Sequence, residues 1–116
     1  MDNPNDFLPL SSHQFHILLA LTDRERHGYA VIQDIDQRTD GAMRLGTGTL
    51  YTAIARLVEL GLIADSGRAD ERRRYYRLLP LGRAVLRAET ARLEALVFHA
   101  HARGVRASAP ALRRQS

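Results

Sequence analysis

Cysteine is absent from the 116 residues, and lysine and tryptophan are absent with it. Without a thiol there is no disulfide framework, no thiolate-bound metal, no redox switch and no cysteine nucleophile. Long apolar runs are missing too. The longest, Ile17 to Leu21, falls far short of the roughly 18 residues that a membrane-spanning helix needs. The first residues carry Asp2 and Asp6 and no apolar segment, which is not the pattern of a secretory signal. The expectation is one compact, soluble domain with a cytoplasmic location and no membrane partner.

With lysine absent, all 17 basic residues are arginine, and the net charge is +4. A biased genome composition accounts for the choice without any function. Arginine is nonetheless the side chain that reads guanine and lines narrow minor grooves. Distribution says more than the total. Residues 1–66 carry five arginines against nine acids, whereas residues 67–116 carry twelve against four. The asymmetry suggests a polyanionic partner met mainly by the second half, although a solvated basic face gives the same arithmetic.

Residues 1–9 hold two prolines, two aspartates and two asparagines ahead of any periodic pattern, and read as a leader arm. A first helix starts with Ser11 or Ser12 as N-cap and repeats Phe15, Leu18, Leu19 and Thr22 at helical spacing. His27-Gly28 opens a second, with Val31, Ile32, Ile35 and Thr39 on one face and Gly41 placed to end it. A third starts near Thr47 or Thr49, turns Leu50, Ile54, Leu57 and Val58 inward, and stops before Gly61. Two short strands follow, Leu62 to Ser66 and Arg72 to Leu78, joined by a turn from Gly67 to Glu71. Pro80 suits the first turn of a last helix that continues to about Ala102, some 35 Å in length. Leu86, Leu93, Leu96, Val97 and Ala100 form an apolar stripe along it. The stripe can fold back on the core or form a dimer seam, and the helix projects far enough to favour the seam. Residues 104–116 read as a disordered basic tail.

This is a mainly α chain with a small β-hairpin, and the order is that of a winged helix-turn-helix over residues 10–78 followed by a dimerisation helix over 79–103. Particular residues sharpen the reading. His27-Gly28-Tyr29, Gly46-Thr47-Gly48-Thr49-Leu50-Tyr51, Arg56-Leu57, Gly61-Leu62-Ile63 and Arg73-Arg74-Tyr75-Tyr76 with Gly82, in this order, resemble the PadR family of bacterial transcriptional regulators. The length and single C-terminal helix resemble its short subfamily, whose members dimerise through that helix. The resemblance implies sequence-specific binding of double-stranded DNA, and a repressor released by a small, often aromatic, effector. One residue departs from the pattern: Leu79 stands where the family commonly has a threonine N-cap, a loss of about 1 kcal/mol at that helix start.

On the third helix, Thr49, Thr52, Ala53, Arg56 and Glu59 lie opposite the apolar stripe. Small hydroxyl and methyl groups there can approach base edges, and Arg56 can reach a phosphate or guanine, or pair with Glu59. Thr47 and Thr49 sit at the helix start, where free amides favour a phosphate and where the same residues can act as caps. Tyr29 and Tyr51 occupy positions that the resemblance associates with the DNA-facing surface, with core packing as the rival role. In the wing, Arg72 and Arg74 should point to one face and Arg73 to the other, and one set should meet the backbone or adjacent minor groove.

Other functions find less support. His13 and His16, or His99 and His101, lack a carboxylate to complete a metal set, so no metal or other cofactor is expected. Gly46-Thr47-Gly48 lacks the lysine and the preceding strand of a phosphate loop, and no nucleophile setting is recognisable, so no enzyme is expected. A winged helix used for protein contacts is the alternative; the acidic first half suits it and the arginine wing argues against it. An effector pocket could lie between the first and last helices of a dimer, around Phe15, Leu19, Leu93 and Phe98, but each of these is equally a core residue, so no ligand residues are assigned. Tryptophan's absence weakens a multidrug-binding version of it.

Overall fold

The computed structural model describes residues 2–70 and 72–108. A 3-10 turn at Pro4–Phe7 precedes α1 (Ser12–Ala20), β1 (Arg26–His27), α2 (Gly28–Arg38), α3 (Thr47–Glu59), β2 (Ile63–Asp70), β3 (Arg73–Leu78) and α4 (Pro80–Ala102). Among these residues no helix is long and apolar enough to cross a membrane. The chain is a mainly helical winged helix with a small antiparallel sheet in the order β1-β3-β2.

The helix starts differ in how they are held. Ser11 caps α1 through a reciprocal box: its hydroxyl accepts from the Gln14 amide at 3.1 Å, and the Gln14 side chain accepts from the Ser11 amide at 3.0 Å. α3 starts at Thr47 as expected, with Gly46 as its N-cap, and neither threonine supplies a capping bond. At α4, Leu79 is the N-cap with no side-chain bond. Its own amide donates to the Leu62 carbonyl at 3.0 Å, which ties the helix start to the α3–β2 junction.

The core is continuous. Ile17, Leu18, Val31, Ile35, Leu50, Leu57, Leu62, Ile63 and Val85 are fully buried in it. Leu45 anchors the loop between α2 and α3. Val58, expected to face inward, is 40% exposed. At 100° per residue it falls on the flank of α3, beyond the arc held by Leu50, Ile54 and Leu57.

Gly82 fixes where α4 lies. A Cβ there would collide with the Leu62 carbonyl group, whose carbon would be 2.9 Å away, so only glycine lets the first turn of α4 rest on the α3–β2 junction. Farther along, Glu89 is buried; its carboxylate accepts from the Leu10 amide at 3.1 Å and from Arg92 at 2.6 and 2.9 Å. Phe7 and Leu8, read from the sequence as part of an arm, pack against the core beside it.

The wing also departs in detail from the sequence reading. Gly67, at φ +84°, makes an irregularity within β2 between Asp65 and Ala69 rather than the reversal itself. Asp70 pairs with Arg73, so two residues connect the strands. A left-handed glycine suits one class of bulge, and a bulge bends the strand and increases its twist. β1 is an added element: Arg26 and His27 pair with Tyr76 and Tyr75. Two residues show no alternation, which left it invisible to a period argument. Residues 104–108 follow α4 without regular structure, and residues 109–116 of the proposed tail lie outside the described residues.

Candidate nucleic-acid interface

His27 and Gly28 organise one side of the surface. His27 is the N-cap of α2, its Nδ1 accepting from the Ala30 amide at 3.2 Å. A Cβ on Gly28 would collide with the Tyr51 hydroxyl and stand 2.7 Å from Cζ. The bare glycine therefore lets the Tyr51 ring from α3 lie across the start of α2. Tyr29 follows at 60% exposure and Tyr51 is 47% exposed, so neither is a core residue. From the wing come Arg72, Arg73 and Arg74. Together with Tyr76 these residues line a groove of about 380 Å³. Strict alternation would part Arg73 from its neighbours, yet all three line one groove; Arg72 lies in the connection ahead of β3, where alternation does not hold, and the side chains are long.

Polar contacts preset the wing. Arg74 donates to Asp65 at 3.0 Å, and Asp65 also accepts from the Gly67 amide at 2.9 Å. The Arg68 guanidinium lies 4.0 Å over the Tyr75 ring and 3.8 Å from Glu25. Ser66 donates to the same Glu25 at 3.1 Å. On its other edge Tyr75 meets the His27 ring at 5.2 Å in an edge-to-face contact. Burial and the neighbouring Arg73 hold the His27 pKa below the ordinary histidine value. Burial raises that of Tyr76, and Tyr51 beside it adds to the effect.

The other flank of α3 forms a second groove, of about 520 Å³, lined by Ser11, His13 and Gln14 of the α1 start and by Gly48, Thr49, Thr52, Ala53 and Arg56. Arg56 is paired with Glu59 at 2.8 Å, both side chains well exposed. Thr47 is exposed at the helix start and lines neither groove. The structure thus brings Tyr29, Tyr51, Arg72, Arg73 and Arg74 together on one side of α3, and Thr49, Thr52 and Arg56 on the other. Sequence reasoning missed His27 and the role of Gly28. The signal was the His-Gly pair in front of a tyrosine, read as a helix start and as part of the family resemblance but not as part of the contact surface.

Along α4 the expected stripe divides. Leu86 is buried in the chain's own core at 6% exposure and is not available to a seam, because the first half of α4 packs on the winged-helix body. Leu93, Leu96 and Val97 are exposed, Phe98 beside them is 67% exposed, and Ala100 is partly covered. Within the single chain Phe15 and Leu19 pack on the core, while Leu93 and Phe98 face outward. A groove of about 270 Å³ does lie between α1 and α4, lined by Leu19, Arg83, Leu86, Arg87, Thr90, Ala91 and Glu94. Of the histidines weighed as ligands, His16 has its Nδ1 against Arg38 at 3.0 Å. Among the described residues no three His, Cys, Asp or Glu side chains group as a metal site.

The model of the transcriptional regulator PadR-like family matches residues 17–88. An uncharacterised protein of Lysinibacillus sphaericus is 32% identical over 77 residues, covering 60% of this chain and 67% of that one. Among solved structures, a transcriptional regulator from Clostridium thermocellum is 27% identical with a TM-score of 0.69, over 80% of this chain and 96% of its own. Bacillus subtilis PadR, solved in complex with operator DNA, is similar in fold, with a TM-score of 0.57 at 18% identity, over 65% of this chain and 45% of its own.

Proposed function

Since this chain belongs to the PadR-like family of transcriptional regulators, we propose that it is a repressor that binds an inverted-repeat operator as a homodimer. The observation that carries the reading is the groove in which Tyr29 and Tyr51 meet Arg72, Arg73 and Arg74 beside the exposed face of α3. With α3 in a major groove, Thr49, Thr52 and Arg56 face base edges, while the phenols and wing arginines take phosphates on the flank. Charge then sets affinity, and small side chains set sequence preference. Arg56 reaches DNA by leaving Glu59, an exposed pair worth about 0–1 kcal/mol.

Two copies are joined through Leu93, Leu96, Val97 and Phe98 on α4, which the single chain leaves exposed. A two-fold pair asks for half-sites about one helical turn, roughly 34 Å, apart. An effector in the α1–α4 groove would act on the spacing of the reading heads, since that groove lies between the winged-helix body and the pairing helix. The test is fluorescence anisotropy with the DNA upstream of the chain's own gene, followed by footprinting. If the dimer neutralises about eight phosphates, log affinity falls against log salt with a slope of about −7. A flat salt dependence, or protection of one asymmetric half-site, contradicts this reading.

A further inference from the structure

The contact between His27 and Arg73 carries information that the wing arginines alone do not. The Ala30 amide donates to Nδ1 of His27 at 3.2 Å, so that nitrogen bears a lone pair. In the neutral ring the proton must then sit on Nε2. Arg73 has only donors, and its terminal nitrogen stands 3.4 Å from that same Nε2. The approach is therefore not a hydrogen bond. Two N–H donors stand 3.4 Å apart, and among the described residues neither has another acceptor.

The surroundings are built for an anion. Arg72, Arg74, Tyr29 and Tyr51 line the same groove. The ring is held in place by its cap bond on one side and by Tyr75, edge-to-face at 5.2 Å, on the other. Arg68 and Asp70 act on it at longer range with opposite sign. We propose that His27, as the neutral Nε2–H tautomer, is a DNA-backbone ligand, its N–H and that of Arg73 converging on one phosphodiester oxygen. This rests on the DNA-binding reading of the groove and adds to it a residue, a tautomer and a stoichiometry of two donors per oxygen. A neutral donor has a further consequence: it adds a hydrogen bond without releasing a counterion, whereas Arg73 adds both.

The test compares His27→Asn with Arg73→Gln on a mixed-sequence duplex of about 30 base pairs, because a phosphate contact does not depend on sequence. Asparagine is a good N-cap, so the urea midpoint of His27→Asn should stay close to the parent, lowered only by the lost edge-to-face contact with Tyr75. Its affinity should fall about tenfold per chain, with the salt slope unchanged. Arg73→Gln should lose affinity and also flatten the slope by about one per chain. Nitrogen-15 spectra of the free protein should show the Nε2–H tautomer of His27, with its proton shifting when duplex is added. Inorganic phosphate at matched ionic strength should not reproduce that shift; if it does, the gap is a free-anion site and the DNA assignment is overturned. Parent-like affinity of His27→Asn beside a weakened Arg73→Gln overturns the inference and leaves the groove as the DNA face. Parent-like affinity of both, and of Arg72→Gln and Arg74→Gln, overturns the groove as well. An Nδ1–H tautomer in the free protein overturns it at the first step.

Discussion

Replacing Gly28 with alanine separates what the first residue of α2 does for folding from what it does for the groove. The backbone there is helical, so alanine should favour the helix by up to about 1 kcal/mol. Against this, the new methyl group meets the Tyr51 hydroxyl, lies 2.7 Å from Tyr51 Cζ and 3.1 Å from Leu50 Cδ2. Leu50 is fully buried and must give by a few tenths of an ångström, whereas Tyr51 is half exposed and can swing outward. Helix gain and overpacking nearly cancel, leaving the urea midpoint within about 1 kcal/mol of the parent. Affinity for duplex DNA should behave otherwise. A phenol displaced from its phosphate loses about 1–1.5 kcal/mol, or roughly tenfold in Kd. The decisive assay is a double-mutant cycle by anisotropy at fixed salt. In a Tyr51→Ala background the alanine at position 28 has nothing to displace, so it should be silent, giving a coupling of about 1 kcal/mol. An equal loss in both backgrounds would refute the account, since the effect would then bypass Tyr51. So would a fall of about 3 kcal/mol in stability, which would put the clash in the core.

Glu89→Ala should cost about 2 kcal/mol in urea unfolding, because the buried Leu10 amide loses its acceptor; Glu89→Gln, which can still accept, should cost less, and equal costs would count against the pairing. Stability should fall on acidification in two stages. Burial and Arg38 hold His16 below the ordinary histidine value, and His27 is lowered likewise, so the unfolded chain takes up protons first and stability declines as pH drops below about 6.5. Arg92's hydrogen bond holds Glu89 below the ordinary carboxylate range; its share is present above about pH 4.5 and is lost as pH falls through the folded value. A urea midpoint flat from pH 7 to pH 5.5 would contradict the first stage. Leu96→Asp with Val97→Asp should leave a folded monomer in sedimentation, since both positions are exposed in the single chain; a parent that is already monomeric at tens of micromolar removes the seam. Asp65→Asn should raise affinity for mixed-sequence DNA a few-fold by removing one carboxylate near the phosphates, and a loss of affinity would show that placement of Arg74 matters more.

The helices were legible because each had a period and a boundary residue: Ser11, Gly41 and Gly61 mark ends that a chain with no tertiary context would also choose. The sheet was only half legible. Gly67 reads equally as a turn or as a bulge residue, and the choice depends on pairing partners that local sequence does not contain. β1 is two residues long and exists only because Tyr75 and Tyr76 pass beside it. The candidate site was legible as a set of residues and not as a geometry. Tyrosine and arginine identities pointed to phosphate, but the meeting of Tyr51 with Gly28 spans two helices. Leu86 shows the converse limit: its periodicity placed it correctly on the apolar stripe of α4, and periodicity cannot tell which part of a stripe its own chain covers.

The acids around the wing complete the electrostatic picture. Asp65 and Glu25 lie close to Arg74 and Arg68, which looks at first like neutralisation of the surface that should attract DNA. These pairs are exposed, so each contributes about 0–1 kcal/mol and can be exchanged for a phosphate at little cost. Their geometry is less negotiable. Asp65 also holds the Gly67 amide and Glu25 also accepts from Ser66, so both carboxylates are fixed to the β2 irregularity that shapes the wing. An arginine tethered to a fixed carboxylate has fewer rotamers to lose on binding than one free in solvent. The acids thus lower the long-range field while reducing the ordering cost at contact. That combination penalises loose association with any polyanion more than a seated complex in which Arg68 and Arg74 have exchanged their carboxylates for phosphates. On this account, selectivity in the wing is a matter of which partner is already held, and only secondarily of net charge.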